Sequence, residues 1–300
     1  MLNPIFEKSK LDELFQVLSE SKTILIFGHK NPDGDSIGST LALYHYLGSK
    51  GINSQVIQPD GFPNFLKWME GTDSILLFEK QPEEVTELIK KADVIFNLDY
   101  NEQSRVGKEL GELLQQSDAV KVMIDHHQQP DDFAQFTFSD TTSCSTAQLV
   151  YEFIESNGDL PLINETIGNC IYTGILTDTG SFRFPSVTPK THLIAADLIS
   201  RGVVHSRIHE EIYDINTPER LKLLGYTLNN KLEVLPEINT AIISLTMKEM
   251  QDHKTQKGYT EGFVNTALSI LGVTTAVFVK EDKHIVKISF RSKGDIPVNE

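Results

Sequence analysis

The sequence predicts an α/β protein: a doubly wound, mostly parallel sheet over residues 1–190, a helical linker at 191–230 and a smaller α/β domain at 231–300. Three observations carry this. Short apolar runs alternate with amphipathic segments through the first half. Those runs are apolar at consecutive positions, the pattern of strands covered on both faces by helices. The texture then turns helical after "FTFSD" and changes again from about Lys231.

Taken in order, strands are expected at "TILIFGH", "SQVIQP", "SILLF", "VIFNLDY" and "VKVMIDHH". The intervening helices are "DSIGSTLALYHYLGSKG", which stops on Gly51, "PEEVTELIKKA", which opens on Pro82, and "RVGKELGELLQQS"; both punctuation marks suit helix ends. "STAQLVYEFIESNG", "NETIGNCIYTGILTDTG" and "KTHLIAADLISRG" repeat apolar residues at helical spacing and close near glycine. "YDINTPERLKLLGYTLNN" reads as the connecting helix, with Thr217 as N-cap and Pro218 in the first turn. The last domain offers "TAIISLTMKEM", a helix at "EGFVNTALSILG", and "TAVFVK" with "HIVKISFRS" as a hairpin around "EDK".

Three hundred residues, 39% of them hydrophobic, can bury a sizeable core. The formal net charge of −15 repels long polyanions, and no Lys/Arg cluster marks a duplex-tracking stripe. Long duplex DNA is therefore excluded as a partner. A small phosphorylated substrate is not, because a local or metal-assisted site can bind phosphate in an acidic protein. Cys144 and Cys170 lack metal-type spacing and read as reduced, partly buried small residues. No apolar run reaches membrane-spanning length and the N-terminus lacks a signal-type apolar stretch, so a soluble cytoplasmic protein without a membrane partner is expected.

The chemistry collects at strand ends. "TILIFGH" runs into His29, Asp33 and Asp35; "VIFNLD" ends on Asp99; "VKVMIDHH" ends on Asp125, His126 and His127. In an open parallel sheet, ligands bind outside the carboxyl ends of the strands. Asp178 follows "CIYTGILT" in "TDTGSF", read as a polar, loop-like break. Singly, each has an ordinary explanation: His29 a structural histidine, Asp33 a turn residue, Asp35 the N-cap of a helix beginning at Ser36. A His-His pair beside carboxylates is costly to bury unless it is used, and several such ends on one sheet edge argue for a joint role.

Clustered carboxylates raise one another's pKa unless cations compensate. A mixed oxygen and nitrogen set suits Mn²⁺, Zn²⁺ or Fe²⁺ better than Ca²⁺. Two such ions about 3.5–4 Å apart can share a carboxylate and a hydroxide and clamp an in-line phosphoryl displacement. The residues therefore point to a metal-dependent phosphoesterase.

"GHKNPDGDSIGS", "NLD", "IDHH" and "GILTDTGSF", in that order, closely resemble the four motifs of the Asp-His-His (DHH) phosphoesterases. "YTEGFVNTALSILGV" and "ISFRSKGDIPVN" resemble their associated C-terminal substrate domain, in the arrangement of the short members acting as oligoribonuclease and pAp phosphatase. The resemblance implies two divalent ions, taken as Mn²⁺: one held by His29, Asp33 and Asp99, the other by Asp35, Asp99, His126 and Asp178, with Asp99 bridging. It implies that a metal-bridging hydroxide attacks phosphorus, that His127 contacts the scissile phosphate, and that Asp125 orients the site. Asn31 would hydrogen-bond near the ions, Arg291 and Ser292 would grip a terminal phosphate or nucleotide, and Arg105 is a further candidate. Substrates would be short RNA oligonucleotides and pAp-like nucleotides, and a homodimer is compatible. Such proteins continue into a glycine-rich segment ending in histidine; the sequence reaches Glu300 before one, which is expected to affect substrate affinity and not the metal site.

Rival substrates with the same chemistry are linear dinucleotides (pApA, pGpG) and polyphosphate or pyrophosphate; cleavage polarity is left open. A different class altogether would be a nucleotide-binding regulator with a decayed site. "HSRIHEE" spaces His205 and His209 like a zinc pair but puts Ser206 where the base of HExxH would stand, and reads as an exposed helix face. His45, His192, His253 and His284 lack acid-rich surroundings, Trp68 reads as packing, and "GHKNPDGDS" lacks the Lys-Ser/Thr of a P-loop.

Overall fold

The computed structural model describes residues 3–256, 258–283, 285–294, 296 and 298. The chain forms two compact units, Met1–Ile212 and Tyr213–Glu300.

The first unit runs α1 (Lys8–Glu20), β1 (Ile24–Phe27), α2 (Gly34–Ser49), β2 (Gln55–Gln58), β3 (Leu76–Leu77), α3 (Pro82–Lys91), β4 (Val94–Leu98), α4 (Lys108–Gln116), β5 (Val120–Asp125), β6 (Phe136–Ser139), α5 (Thr146–Ser156), α6 (Glu165–Asp178), α7 (Pro189–Ser200) and α8 (His205–Tyr213). All six strands are parallel, in the order β3-β2-β1-β4-β5-β6. Strand side chains alternate between faces, and each face has its own core. Ile24, Ile26, Val94, Phe96, Leu98, Val122 and Ile124 pack with residues of α1, α2, α5 and α6. Leu25, Phe27, Ile57 and Ile95 pack with Val85 and Ile89 of α3 and Leu110 and Leu114 of α4. The strand order reverses between β1 and β4, so the carboxyl ends of these two neighbours flank a switch-point crevice.

Helices α2 and α6 meet backbone to backbone through glycine. A Cβ at Gly38 would lie 2.6 Å from the carbonyl oxygen of Cys170, and one at Gly174 would lie 2.4 Å from the Ala147 Cβ and 2.7 Å from Asp35 Oδ1. Both cysteines are free, as expected, and more fully buried than the sequence suggests. No described helix is long and apolar enough to cross a membrane.

A polar clamp ties α2 to the turn after α5: Asp159 accepts from Tyr46 Oη at 2.5 Å, Asn157 Nδ2 at 2.6 Å and Lys50 Nζ at 2.6 Å. Burial raises the Asp159 pKa, but Lys50, Tyr46 and Asn157 outweigh it and hold it below its ordinary value. A depressed folded pKa stabilises above the unfolded value, about 4. Asp159→Ala should therefore lower stability by about 1 kcal/mol at neutral pH. Urea melts should show the gap to wild type closing as pH falls below about 4; a constant gap would exclude the charge as its source.

Three elements escape the sequence reading: α1, whose Leu11, Leu14 and Leu18 face the core, the edge strand β6, and the partly exposed strand at Leu232–Leu235 in the second unit. β3 is only two residues long. The division between units falls at Ile212/Tyr213, within the segment expected to be a linker. Helices α7 and α8 bury Ile194, Leu198, Ile208 and Ile212 in the first unit's core, so they are part of it and not a connector.

The second unit comprises α9 (Pro218–Asn230), β7 (Leu232–Leu235), β8 (Thr240–Leu245), α10 (Met247–Asp252), α11 (Phe263–Leu268), β9 (Thr275–Asp282) and β10 (Ile285–Ser292). Thr217 Oγ1 accepts from the Arg220 amide, capping α9 as expected. The sheet order is β10-β9-β8-β7, with β8 and β9 parallel and both outer pairs antiparallel. Leu223, Ile243, Phe263, Ala267 and Phe278 form its core.

Candidate metal centre

Every sequence-predicted acid and histidine of the first unit lies on one edge of the sheet, at or beyond the carboxyl ends of β1, β4 and β5 or at the end of α6. His29 follows β1 and is 7% exposed. Asp33, not Asp35, caps α2: its Oδ1 accepts from the amides of Asp35 and Ser36 at 3.0 and 3.1 Å. The helix therefore begins two residues earlier than expected, which releases Asp35 from capping and turns it inward at 1% exposure. Asp99 follows β4 with φ of 65°, a left-handed backbone uncommon for a non-glycine residue and often a mark of a functional position. The Asp99 amide still bonds to Ile124 of β5. Asp178 is the final residue of α6 and not part of a loop; the apolar helix carries it to the edge.

The side chains converge. His29 Nε2 lies 3.4 Å from Asp99 Oδ2 and 3.9 Å from Asp33 Oδ1. His126 Nε2 lies 3.6 Å from Asp99 Oδ1, 3.5 Å from Asp178 Oδ2 and 3.9 Å from Asp35 Oδ2. These separations are long for hydrogen bonds. They approach the roughly 3–3.5 Å edges between neighbouring ligands of one cation with bonds near 2.1 Å. Three groups have donor atoms close enough to hold an ion: His29, Asp33 and Asp99; Asp35, His126 and Asp178; and Asp99, His126 and His127. Asp99 presents Oδ2 to His29 and Oδ1 to His126 and His127, so its two oxygens address opposite sides.

Electrostatics agree with a site built for cations. Burial, and then Asp99, Asp178 and Asp33, push the Asp35 carboxyl well up. Burial raises Asp178 to about 7, against the pull of His126. Burial also disfavours the Asp99 carboxylate, but His29 and the other imidazoles overcome it and hold the group down to about 2. Burial opposes protonation of His29, yet Asp33 and Asp99 raise it to about 10. Clustered carboxylates that disfavour one another's charged forms in this way are the surroundings that divalent ions would compensate.

His127 belongs to a separate unit of geometry. Asp125, fully buried, accepts from its amide at 3.0 Å and lies 2.7 Å from its Nδ1. That hydrogen bond to Asp125 raises the His127 pKa against burial and the nearby Arg105 charge. The ring is thereby oriented through its Nδ1. Arg105 is exposed, and its carbonyl accepts from the Lys30 amide at 2.8 Å. Asn31, also exposed and left-handed at φ 54°, donates its amide to Asp60 Oδ1 at 2.7 Å. Arg291 and Ser292 lie on β10 of the second unit, where Ser292 Oγ bonds to the Ile296 carbonyl. Asp295, Pro297 and Asn299 of the expected substrate motif lie outside the described residues, as does His284.

Sequence reading missed Thr146 and Ala147, whose amides donate to Asp35 Oδ2 at 2.6 Å and Oδ1 at 2.8 Å. "SCSTAQ" reads as helix-capping chemistry, and nothing in its spacing names a distant aspartate. His209 differs from the exposed face expected of it: it is half-buried, with its ring 6.3 Å from that of Tyr172.

Comparison with known proteins follows the same lines. Residues 23–175 match the DHH family, N-terminal domain. The chain is 26% identical over 286 residues to the bifunctional oligoribonuclease and PAP phosphatase NrnA of Bacillus subtilis, covering 95% of this chain and 86% of that protein. It is 30% identical over 277 residues to the Thermus thermophilus protein of the same description, covering 91% and 77%. The crystal structure of an exopolyphosphatase-related protein from Bacteroides fragilis superposes with a TM-score of 0.95 at 39% identity, covering 99% of this chain and 87% of that one.

Proposed function

The chain belongs to the DHH family, and from that premise we propose that this nucleotide phosphoesterase is a two-metal hydrolase of short oligoribonucleotides and of pAp-like 3′-phosphonucleotides. The observation that carries the proposal is the sharing of residues: Asp99 belongs both with His29 and Asp33 and with His126 and His127, and His126 belongs in turn with Asp35 and Asp178.

His29, Asp33 and Asp99 would hold one ion, and Asp35, Asp99, His126 and Asp178 the other. The mixed oxygen and nitrogen donors suit Mn²⁺, Zn²⁺ or Fe²⁺, and Mn²⁺ is the ion that the family resemblance implies. Bound there, the ions would neutralise the phosphoryl charge and lower the pKa of attacking water. The remaining work falls to the protein. Asp125 holds the His127 ring so that Nε2 faces the scissile phosphate, and Arg105 and Asn31 line the exposed approach. Within the second unit, Arg291 and Ser292 would be the residues to hold a phosphate or nucleotide.

A second reading, polyphosphate hydrolysis at the same centre, draws on the description of the Bacteroides fragilis structure. A substrate panel separates them: pAp, pGpG, a short RNA, polyphosphate and cyclic dinucleotides, with Mn²⁺ and again with EDTA. The proposal expects Mn²⁺-dependent turnover of short RNA and pAp. Turnover of polyphosphate alone would support the second reading, and nucleotide binding without turnover would mark a regulator.

A further inference from the structure

Thr146 opens α5, but its hydroxyl does not serve the helix. The cap is Ser145, whose Oγ accepts from the Gln148 amide at 3.1 Å. Thr146 Oγ1 donates instead to Asp99 Oδ1 at 2.9 Å, while the Thr146 amide donates to Asp35 Oδ2 at 2.6 Å. One residue thus holds an aspartate from each ligand group. Thr146 is fully buried.

The consequence is orientational. Asp99 can serve both sides only if its carboxylate plane is fixed, with Oδ2 toward His29 and Oδ1 toward His126. A carboxylate rotates broadly about its terminal torsion unless something pins it. The Thr146 hydroxyl is the described hydrogen-bond donor on Oδ1. The same residue ties that plane to Asp35, whose two oxygens are taken by successive amides of α5.

We propose that Thr146 is a positioning residue that sets the bridging orientation of Asp99 and couples the two ion sites through the N-terminus of α5. The inference rests on the two-metal reading above. Losing the hydroxyl should weaken the ion on the Asp35, His126 and Asp178 side most, because Oδ1 faces that side. Loss of an outer hydrogen bond to a metal ligand typically costs about 10–100-fold in affinity.

Calorimetric titration of metal-stripped protein with Mn²⁺ tests this without reference to turnover. Wild type should take up two ions; a wild type that does not would overturn the two-metal reading itself. Thr146→Val should still bind the first ion and bind the second about 10–100-fold more weakly, with Thr146→Ser restoring both. If the valine variant does not fold, Thr146→Ala reads the same loss. Ser145→Ala, which loosens the same helix end without touching either aspartate, should lower the melting temperature and leave both affinities unchanged. Wild-type affinities in Thr146→Val or Thr146→Ala, or an equal loss in Ser145→Ala, would overturn the inference.

Discussion

Asp99→Asn should leave the protein folded and reduce phosphoester hydrolysis by about a thousandfold or more, the several kcal/mol that paired ions contribute to such a transition state. Asparagine fills the same space and can still accept from Thr146, but it offers one neutral oxygen where two charged ones faced His29 and His126. The change relieves Asp35 and Asp178 of one neighbouring charge but also removes the carboxylate that His29, His126 and His127 hold below its ordinary pKa, so the metal-free variant should melt somewhat lower than wild type at neutral pH while remaining folded. Steady-state kinetics at saturating Mn²⁺, together with a melting curve without metal, check both halves. Activity within tenfold of wild type would remove Asp99 from the bridging position.

Gly174→Ala should damage both stability and the metal centre although it alters no polar group. The added methyl would meet the Ala147 Cβ at 2.4 Å and Asp35 Oδ1 at 2.7 Å, inside a junction where α2, α5 and α6 touch. Overpacking of this kind costs about 1–3 kcal/mol. Here relief must come from moving Asp35 off the amides of Thr146 and Ala147. The expected result is a lower denaturation midpoint together with loss of Mn²⁺ affinity on the Asp35 side. Gly48→Ala, with nothing within 4 Å of the new methyl, is the matched control: it should leave Mn²⁺ affinity unchanged and, as an exposed helical site, should not lower the midpoint. A Gly174→Ala variant as stable as wild type and binding Mn²⁺ equally would show that the junction yields without cost.

The parts of the centre that rest on strand ends were legible because a covered parallel strand announces itself as an apolar run, and the first polar residues after it must lie at the sheet edge. His29, Asp99, Asp125, His126 and His127 all follow that logic. Asp33 and Asp35 were legible as a pair but exchanged in detail, since either can cap a helix and only the backbone decides which. Asp178 read as a break because polar residues follow it, whereas the helix carries through to that residue. Thr146 was illegible for a different reason. Its contacts span 47 residues to Asp99 and 111 to Asp35, and such pairings follow from tertiary packing, not local pattern. The helix α1 was missed among charged residues, and β7 is too short and too exposed to show an apolar period.

The central claim is that one buried aspartate is shared by two ions. Anomalous diffraction from Mn²⁺-soaked crystals, collected on either side of the manganese edge, tests it most directly. The account predicts two manganese peaks, one beside His29 and Asp33 and the other beside His126, Asp35 and Asp178, with a different Asp99 oxygen toward each. A single peak, or two peaks with Asp99 touching only one, would contradict it.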